Sequence, residues 1–209
     1  MSNTDAPIGV ILLAAGKSER FGGDKRLASI ALPESAEPQP MLFVTLQQIC
    51  ASGLPVFVVL RPGDQQWGDA LDKLSIDWGI CPEAAQGMGH SLAFGVHATQ
   101  HWNGWLIALA DMPFIQPATY QRVAAALHQH KIVRPVLQRA APGTGTDTDS
   151  GKTLNGHPVG FSRNYACALI QCQGDEGARR LLADNPQDIY LLPLEDEGIV
   201  QDIDRPQDC

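Results

Sequence analysis

Residues with the types and spacing for chemistry gather in a few short stretches. The first is a turn, Leu13-Ala14-Ala15-Gly16-Lys17-Ser18-Glu19-Arg20-Phe21-Gly22-Gly23-Asp24-Lys25, directly after an apolar run. Small residues let the backbone approach a ligand closely, and turn N–H groups then face outward as an anion cradle. Lys17, Arg20, Lys25 and Arg26 add four cations within ten residues. A phosphate chain needs that combination. A solvated surface loop has the same composition, so glycine and lysine alone leave the choice open. No Gly-Lys-Ser/Thr closes a P-loop here, and G-x-G-x-x-G is missing too. The second stretch is Leu106-Ile107-Ala108-Leu109-Ala110-Asp111-Met112-Pro113, a lone carboxylate after an apolar run. At a strand tip such an acid can hold a divalent cation with phosphate oxygens and water. A helix cap or a turn before proline uses the same residue.

Three weaker stretches follow. Gln86-Gly87-Met88-Gly89-His90-Ser91 reads as a flexible turn into a helix whose N-terminus favours a negative ligand. His157, in Gly156-His157-Pro158, is a titratable ring in a rigid turn, where a structural role is at least as common as a chemical one. Asp202 and Asp204 share one face if residues 201–204 are extended. Asp175 is well placed as a helix N-cap, and His90 reads as a structural or solvent-facing residue.

These residues need elements to hold them. Val10 to Leu13 and Pro55 to Leu60 are continuous apolar runs, as in parallel strands buried on both faces. Further strands are expected at 76–81, 132–137 and 189–194. Helices are expected from Pro40 to Cys50, within 62–75, from Ser91 onward and from Pro117 with Tyr120, Val123, Ala124 and Leu127 on one face. Two more are expected at 164–171 and 176–184. Strands alternating with helices at this spacing indicate parallel βαβ units. Residues 140–152 are rich in Gly, Thr and Asp and read as a mobile loop within one domain spanning 1–209.

Composition narrows the function classes. The chain has 209 residues, 44% hydrophobic and 18% charged, with a formal net charge of -8. That balance disfavours nonspecific binding to nucleic acid or to an anionic membrane. Residues 1–7 lack the apolar core of a signal peptide, and no apolar run is long enough to span a bilayer. Five cysteines without a C-x-x-C suit reduced thiols in a cytoplasmic protein.

Taken together, Leu13-Ala14-Ala15-Gly16-x-Ser18-x-Arg20-Phe21-Gly22-x-x-Lys25, the Gln86-Gly87 turn, Ala110-Asp111-Met112-Pro113, Gly156-His157-Pro158 and the 202–206 segment resemble the MobA-like nucleotidyltransferases. Within them, the Leu-Ala-Ala-Gly form is most similar to the molybdenum cofactor cytidylyltransferases. The resemblance implies an α/β fold, a three-layer α/β/α sandwich with a mostly parallel, Rossmann-like sheet. It implies that Leu13, Ala14, Ala15, Gly16, Gln86, Gly87 and Ser91 bind the nucleotide, with Arg20 and Lys25 on the phosphates. Mg²⁺ is expected on Asp111 and Asp204, with Asp202 in reserve, and the acceptor at His157. The implied reaction moves CMP from CTP to a molybdopterin-type acceptor and releases pyrophosphate. A molybdenum hydroxylase is the expected partner. GTP, a sugar-phosphate acceptor, or a non-catalytic cofactor carrier are the alternatives. The chain departs from the family pattern at Gln39, Gly89, His90 and Arg205.

Overall fold

The structure is a computed structural model that describes residues 6–16, 21, 23–31, 37–138 and 154–204. Arg20, and the loop at 140–152, lie outside the described residues. The elements in chain order are β1 (Ile8–Leu13), β2 (Ser29–Ile30), β3 (Gln39–Pro40), α1 (Met41–Ala51), β4 (Val56–Leu60), α2 (Gln65–Lys73), β5 (Asp77–Ile80), α3 (Met88–Ala98) and β6 (Gly104–Leu109). They continue as α4 (Pro117–Ala126), β7 (Ile132–Leu137), β8 (Leu154–Asn155), β9 (Val159–Ser162), α5 (Ala166–Ile170), α6 (Arg179–Asp184) and β10 (Ile189–Leu194).

The main sheet runs in the order β10-β7-β9-β6-β1-β4-β5, with β8 paired to β7 and β2-β3 forming a separate small ribbon. Every neighbour on the path is parallel except β9, which is antiparallel to both β6 and β7. The expected mostly parallel α/β/α sandwich is therefore what is observed. Period-two alternation divides the apolar strands between two cores. Val10, Leu12, Val58 and Leu106 pack with Leu42 and Leu46 of α1, Leu71 of α2 and Tyr120 and Val123 of α4. Ile11, Leu13, Val59, Trp105 and Ile107 pack with Leu92 and Val96 of α3 and Leu169 of α5, with Leu181 and Leu182 of α6 against them. Strands covered on both faces explain the unbroken apolar runs. No helix among the described residues is long and apolar enough to cross a membrane.

Several boundaries differ from expectation. Pro40 is the N-cap of α1 rather than its first helical residue. Residues 163–165 form a 3-10 turn before α5, and α6 starts only at Arg179, capped by Ala178. Asp175 therefore caps nothing. Gly174 and Gly177, both at positive φ, keep that segment in turns and delay the helix. Residues 201–204 form no strand. They are held instead by the Ile203 N–H donating to the Asp111 carbonyl at 2.9 Å.

One buried side chain ties the sheet's C-terminal edge together. Arg26 is only 3% exposed. Its Nε and one terminal nitrogen donate to Asp24, at 2.8 and 2.6 Å. The two terminal nitrogens also donate to Asp64 in a fork, and one of them reaches the Ala14 carbonyl at 3.0 Å. All five guanidinium N–H groups are thus used, so Arg26 has no donor left for a phosphate. This corrects its grouping with the phosphate-facing cations. Its work is to join the end of β1, the loop after β4 and the 3-10 turn Lys25–Leu27. Asp24 caps that turn by accepting from the Arg26 N–H. Burial opposes the Arg26 charge, but Asp64 and Asp24 outweigh it and hold the guanidinium firmly protonated.

Arg26→Met should lower stability by about 3–5 kcal/mol, because Asp64 would stay buried without its partner. Urea denaturation checks this, and a loss under about 1 kcal/mol would contradict the clamp. Burial pushes the Asp24 carboxyl up, but the hydrogen bonds and charge of Arg26 more than offset it and hold it below its ordinary value. The folded chain then binds this proton more weakly than the unfolded chain. The stabilisation is fully present above about pH 4 and is lost as pH falls through the lower folded value. Asp24→Asn should flatten that acid-side decline; an unchanged slope of urea midpoint against pH would refute the assignment.

Candidate active site

A cavity of about 550 Å³ opens at the C-terminal edge of the sheet, a volume suited to a small ligand. Open α/β sheets bind ligands at this edge. The turn after β1 contributes Leu13, Ala14, Ala15 and Gly16 to its wall, and the 3-10 turn contributes Lys25. The end of β6 contributes Asp111, the final described segment contributes Asp204, and the approach to α3 contributes Gln86, Gly87 and Ser91.

The charged wall is compact. Lys25 Nζ lies 2.5 Å from Asp111 Oδ2 and 3.5 Å from Asp204 Oδ1. All three groups come from segments far apart in sequence. The Asp204 placement follows from the Ile203–Asp111 backbone bond, which brings 203–204 beside the tip of β6. Asp202, the reserve ligand, is exposed and does not line the cavity. The second oxygen of Asp111, Oδ1, is buried and has no hydrogen-bond partner among the described residues. A buried carboxylate oxygen left unsatisfied is costly unless a cation or donor meets it. Two carboxylates with hard oxygens fit a Mg²⁺-type ion, which demands few protein ligands. Among the described residues no cluster of three or more His, Cys, Asp or Glu side chains offers a complete cage. A metal here would therefore draw further oxygens from its ligand and from water.

The α3 end of the cavity is set by close backbone packing. Gly87 sits at φ +125, and a Cβ there would lie 2.3 Å from the Gly174 carbonyl carbon. The Gly89 N–H donates to the Gly174 carbonyl at 2.7 Å, and the Gly174 N–H donates to His90 Nδ1 at 3.3 Å. His90 is thus structural. Gly87, Met88 and Ser91 line the cavity, so the N-terminal, positive end of the α3 dipole borders it. Asp175, fixed next to this junction, lines the cavity, as do Phe21, Met41 and Met88. The sequence reading missed these four. The glycines flanking the pair Asp175-Glu176 were the available signal for Asp175, since a helix does not start inside such a turn.

His157 does not line the cavity. It is half-buried, its backbone N–H donates to the Ile199 carbonyl at 2.9 Å, and its Nδ1 is buried with no partner among the described residues. Burial pushes its pKa down, which favours the neutral ring.

The MobA-like NTP transferase domain family matches residues 10–189. The chain is 28% identical to the purine catabolism protein PucB of Bacillus subtilis (strain 168), over 95% of this chain and 92% of that one. It is also 28% identical to nicotine blue oxidoreductase of Paenarthrobacter nicotinovorans, over 98% of this chain and 96% of that one. Among solved structures, Rv0371c from Mycobacterium tuberculosis H37Rv matches with a TM-score of 0.76 at 23% identity, covering 97% of this chain and 95% of that one. That protein has also been solved in complex with manganese. Lys25 between two carboxylates, beside a small-residue turn at the edge of a doubly covered sheet, is in keeping with the family match: the chain belongs to the MobA-like NTP transferase domain family and is a nucleotidyltransferase of that kind.

Proposed function

We propose that this protein transfers CMP from CTP to a phosphate-bearing acceptor such as a molybdopterin cofactor and releases pyrophosphate, with residues 1–209 acting as one domain. The observation that carries this reading is the meeting of Lys25, Asp111 and Asp204 on the wall of one cavity. Ala14, Ala15 and Gly16 would lie along base and ribose, where small side chains leave room for a close approach. Gln86, Gly87 and Ser91 would close the nucleotide from the α3 side, with the helix N-terminus favouring negative charge. The methyl group of Ala15, where the guanylyl enzymes of the resembling family usually have glycine, supports CTP over GTP.

Asp111 and Asp204 would hold Mg²⁺. When bound, the ion would neutralise charge on the phosphate oxygens. Lys25, now paired with Asp111, is positioned to exchange that carboxylate for a phosphate of the triphosphate, with Arg20 assisting. An oxygen of the acceptor phosphate attacks the α-phosphorus and forms a new P–O bond. The bond from the α-phosphorus to the bridging oxygen breaks, and pyrophosphate leaves with the electron pair. The nucleophile is already an anion at neutral pH, so no side chain must remove a proton from it. Binding and orientation are therefore the main tasks of the protein.

Asp111→Ala should fold normally yet release pyrophosphate more than about 100-fold more slowly, beyond the loss usual for an outer-shell metal partner. Near-normal release from CTP and acceptor would remove Asp111 from the site. A thermal-shift panel of CTP, GTP, ATP and UTP with Mg²⁺ should show the largest rise with CTP. An equal or larger rise with GTP would overturn the base assignment. Tight acceptor binding with no pyrophosphate release would favour a carrier instead.

A further inference from the structure

The ammonium group of Lys25 spans the two carboxylates that would hold a metal. Its Nζ lies 2.5 Å from Asp111 Oδ2 and 3.5 Å from Asp204 Oδ1. The closer contact is well shielded, with the Lys25 and Asp111 side chains 18% and 17% exposed. The other Asp111 oxygen, Oδ1, is buried and has no hydrogen-bond partner among the described residues. A Mg²⁺-type ion keeps much of its water shell. Such an ion therefore reaches this carboxylate through Oδ2, the oxygen that Lys25 covers.

Backbone contacts hold both sides of this arrangement in place. Lys25 opens the 3-10 turn Lys25–Leu27, which Asp24 caps and the Ala28 N–H closes by donating to the Lys25 carbonyl at 2.9 Å. Arg26, next in the chain, is tied to Asp24, Asp64 and the Ala14 carbonyl. The root of the Lys25 side chain is thus fixed, and its four-carbon stem is the part that can swing. Opposite, the Ile203 N–H bond to the Asp111 carbonyl keeps Asp204 beside Asp111. Among the described residues, the cavity wall carries Lys25 and Arg26 against Asp111, Asp175 and Asp204. Arg26 uses every donor inside its own cluster, so Lys25 is the cation that an incoming polyanion can recruit. A divalent ion arriving alone meets a covered oxygen and a like charge. A triphosphate arriving with it draws the ammonium onto phosphate and adds oxygens of its own.

We propose that Lys25 is an internal stand-in for the metal. Its ammonium occupies the Asp111–Asp204 pair until a triphosphate draws it off, so the divalent ion is admitted with the nucleotide and largely excluded before it. The identity of the triphosphate rests on the nucleotidyl-transfer reading above; the exclusion of the lone ion rests on the Lys25 contacts. By linkage, the nucleotide raises the affinity for the ion by the factor by which the ion raises the affinity for the nucleotide.

The test uses the full chain and Mn²⁺ alone, without nucleotide, with the bound ion read by EPR. Lys25→Met and Lys25→Gln should each bind Mn²⁺ about 10-fold or more tightly than the wild type, within the range of ordinary coupling between ligands. One replacement is apolar and the other polar, so the second decides if the first fails to fold. Lys25→Arg keeps the charge and should bind Mn²⁺ as weakly as the wild type. The gain should persist at high salt, because partly buried contacts are screened little. Adding Asp111→Asn to Lys25→Met should abolish it. Unchanged or weaker Mn²⁺ binding in the neutral variants would overturn the proposal. So would a gain that vanishes at high salt, which marks a distant field, or one that survives Asp111→Asn, which places the ion elsewhere. If the neutral variants gain Mn²⁺ but the wild type shows no thermal shift with any nucleoside triphosphate and Mg²⁺, the exclusion stands and the nucleotidyl-transfer reading falls. If the wild type binds a nucleotide but the variants gain no Mn²⁺, the reading stands and the exclusion falls.

Discussion

The contact between Lys25 and Asp111 holds the site together, because it closes the gap between the two parts of the chain that carry its charge. Lys25 arrives on a 3-10 turn after β1, and Asp111 arrives at the end of β6. The strands themselves are direct neighbours, in parallel register from Ile8↔Gly104 to Leu13↔Leu109. Parallel pairing is what puts both tips at the same edge of the sheet. A small-residue turn on one tip and a carboxylate on the adjacent tip then face a common space. The remaining parts of the site attach to this pair. Asp204 reaches it through the backbone bond from Ile203, and the α3 turn reaches the cavity through packing against Gly174.

Charge in this molecule is used in three different ways. Arg26 is buried and fully paired, and it fixes the backbone from which Lys25 projects. Lys25 is partly exposed and in contact with two carboxylates on a cavity wall. Arg134 has a buried nitrogen with no partner among the described residues. A buried ion pair contributes little net stability, and its removal is costly mainly because one charge is stranded. The Arg26 cluster is therefore understood better as a device for position than as a source of stability.

The antiparallel strand β9 widens the sheet between β6 and β7. The Gly156-His157-Pro158 turn before it packs against Ile199 rather than on the cavity wall. The turn holding Asp175, in the second half of the chain, lines the same cavity as the small-residue turn after β1. Two halves that differ in topology share one crevice.

Sequence alone determined the parts that depend on local pattern. Continuous apolar runs identified β1 and β4 as strands buried on both faces, and an abrupt change to small and charged residues marked the turn after β1. Pro117 and the spacing of Tyr120, Val123, Ala124 and Leu127 specified α4 and its buried face. Asp111 stood out because nothing else polar interrupts its strand. Tertiary structure alone decided how charges pair. Lys25 and Arg26 are adjacent in sequence and equally cationic, yet one faces the cavity's acidic wall and the other is enclosed by Asp24 and Asp64. Asp204 was separated from Asp202 by a single long-range backbone bond, not by strand periodicity. The Nε of Arg134 on β7 is buried with no partner among the described residues, which no sequence pattern records. Periodicity records which face a residue takes, whereas a charge's partner depends on segments brought together only when the sheet is assembled.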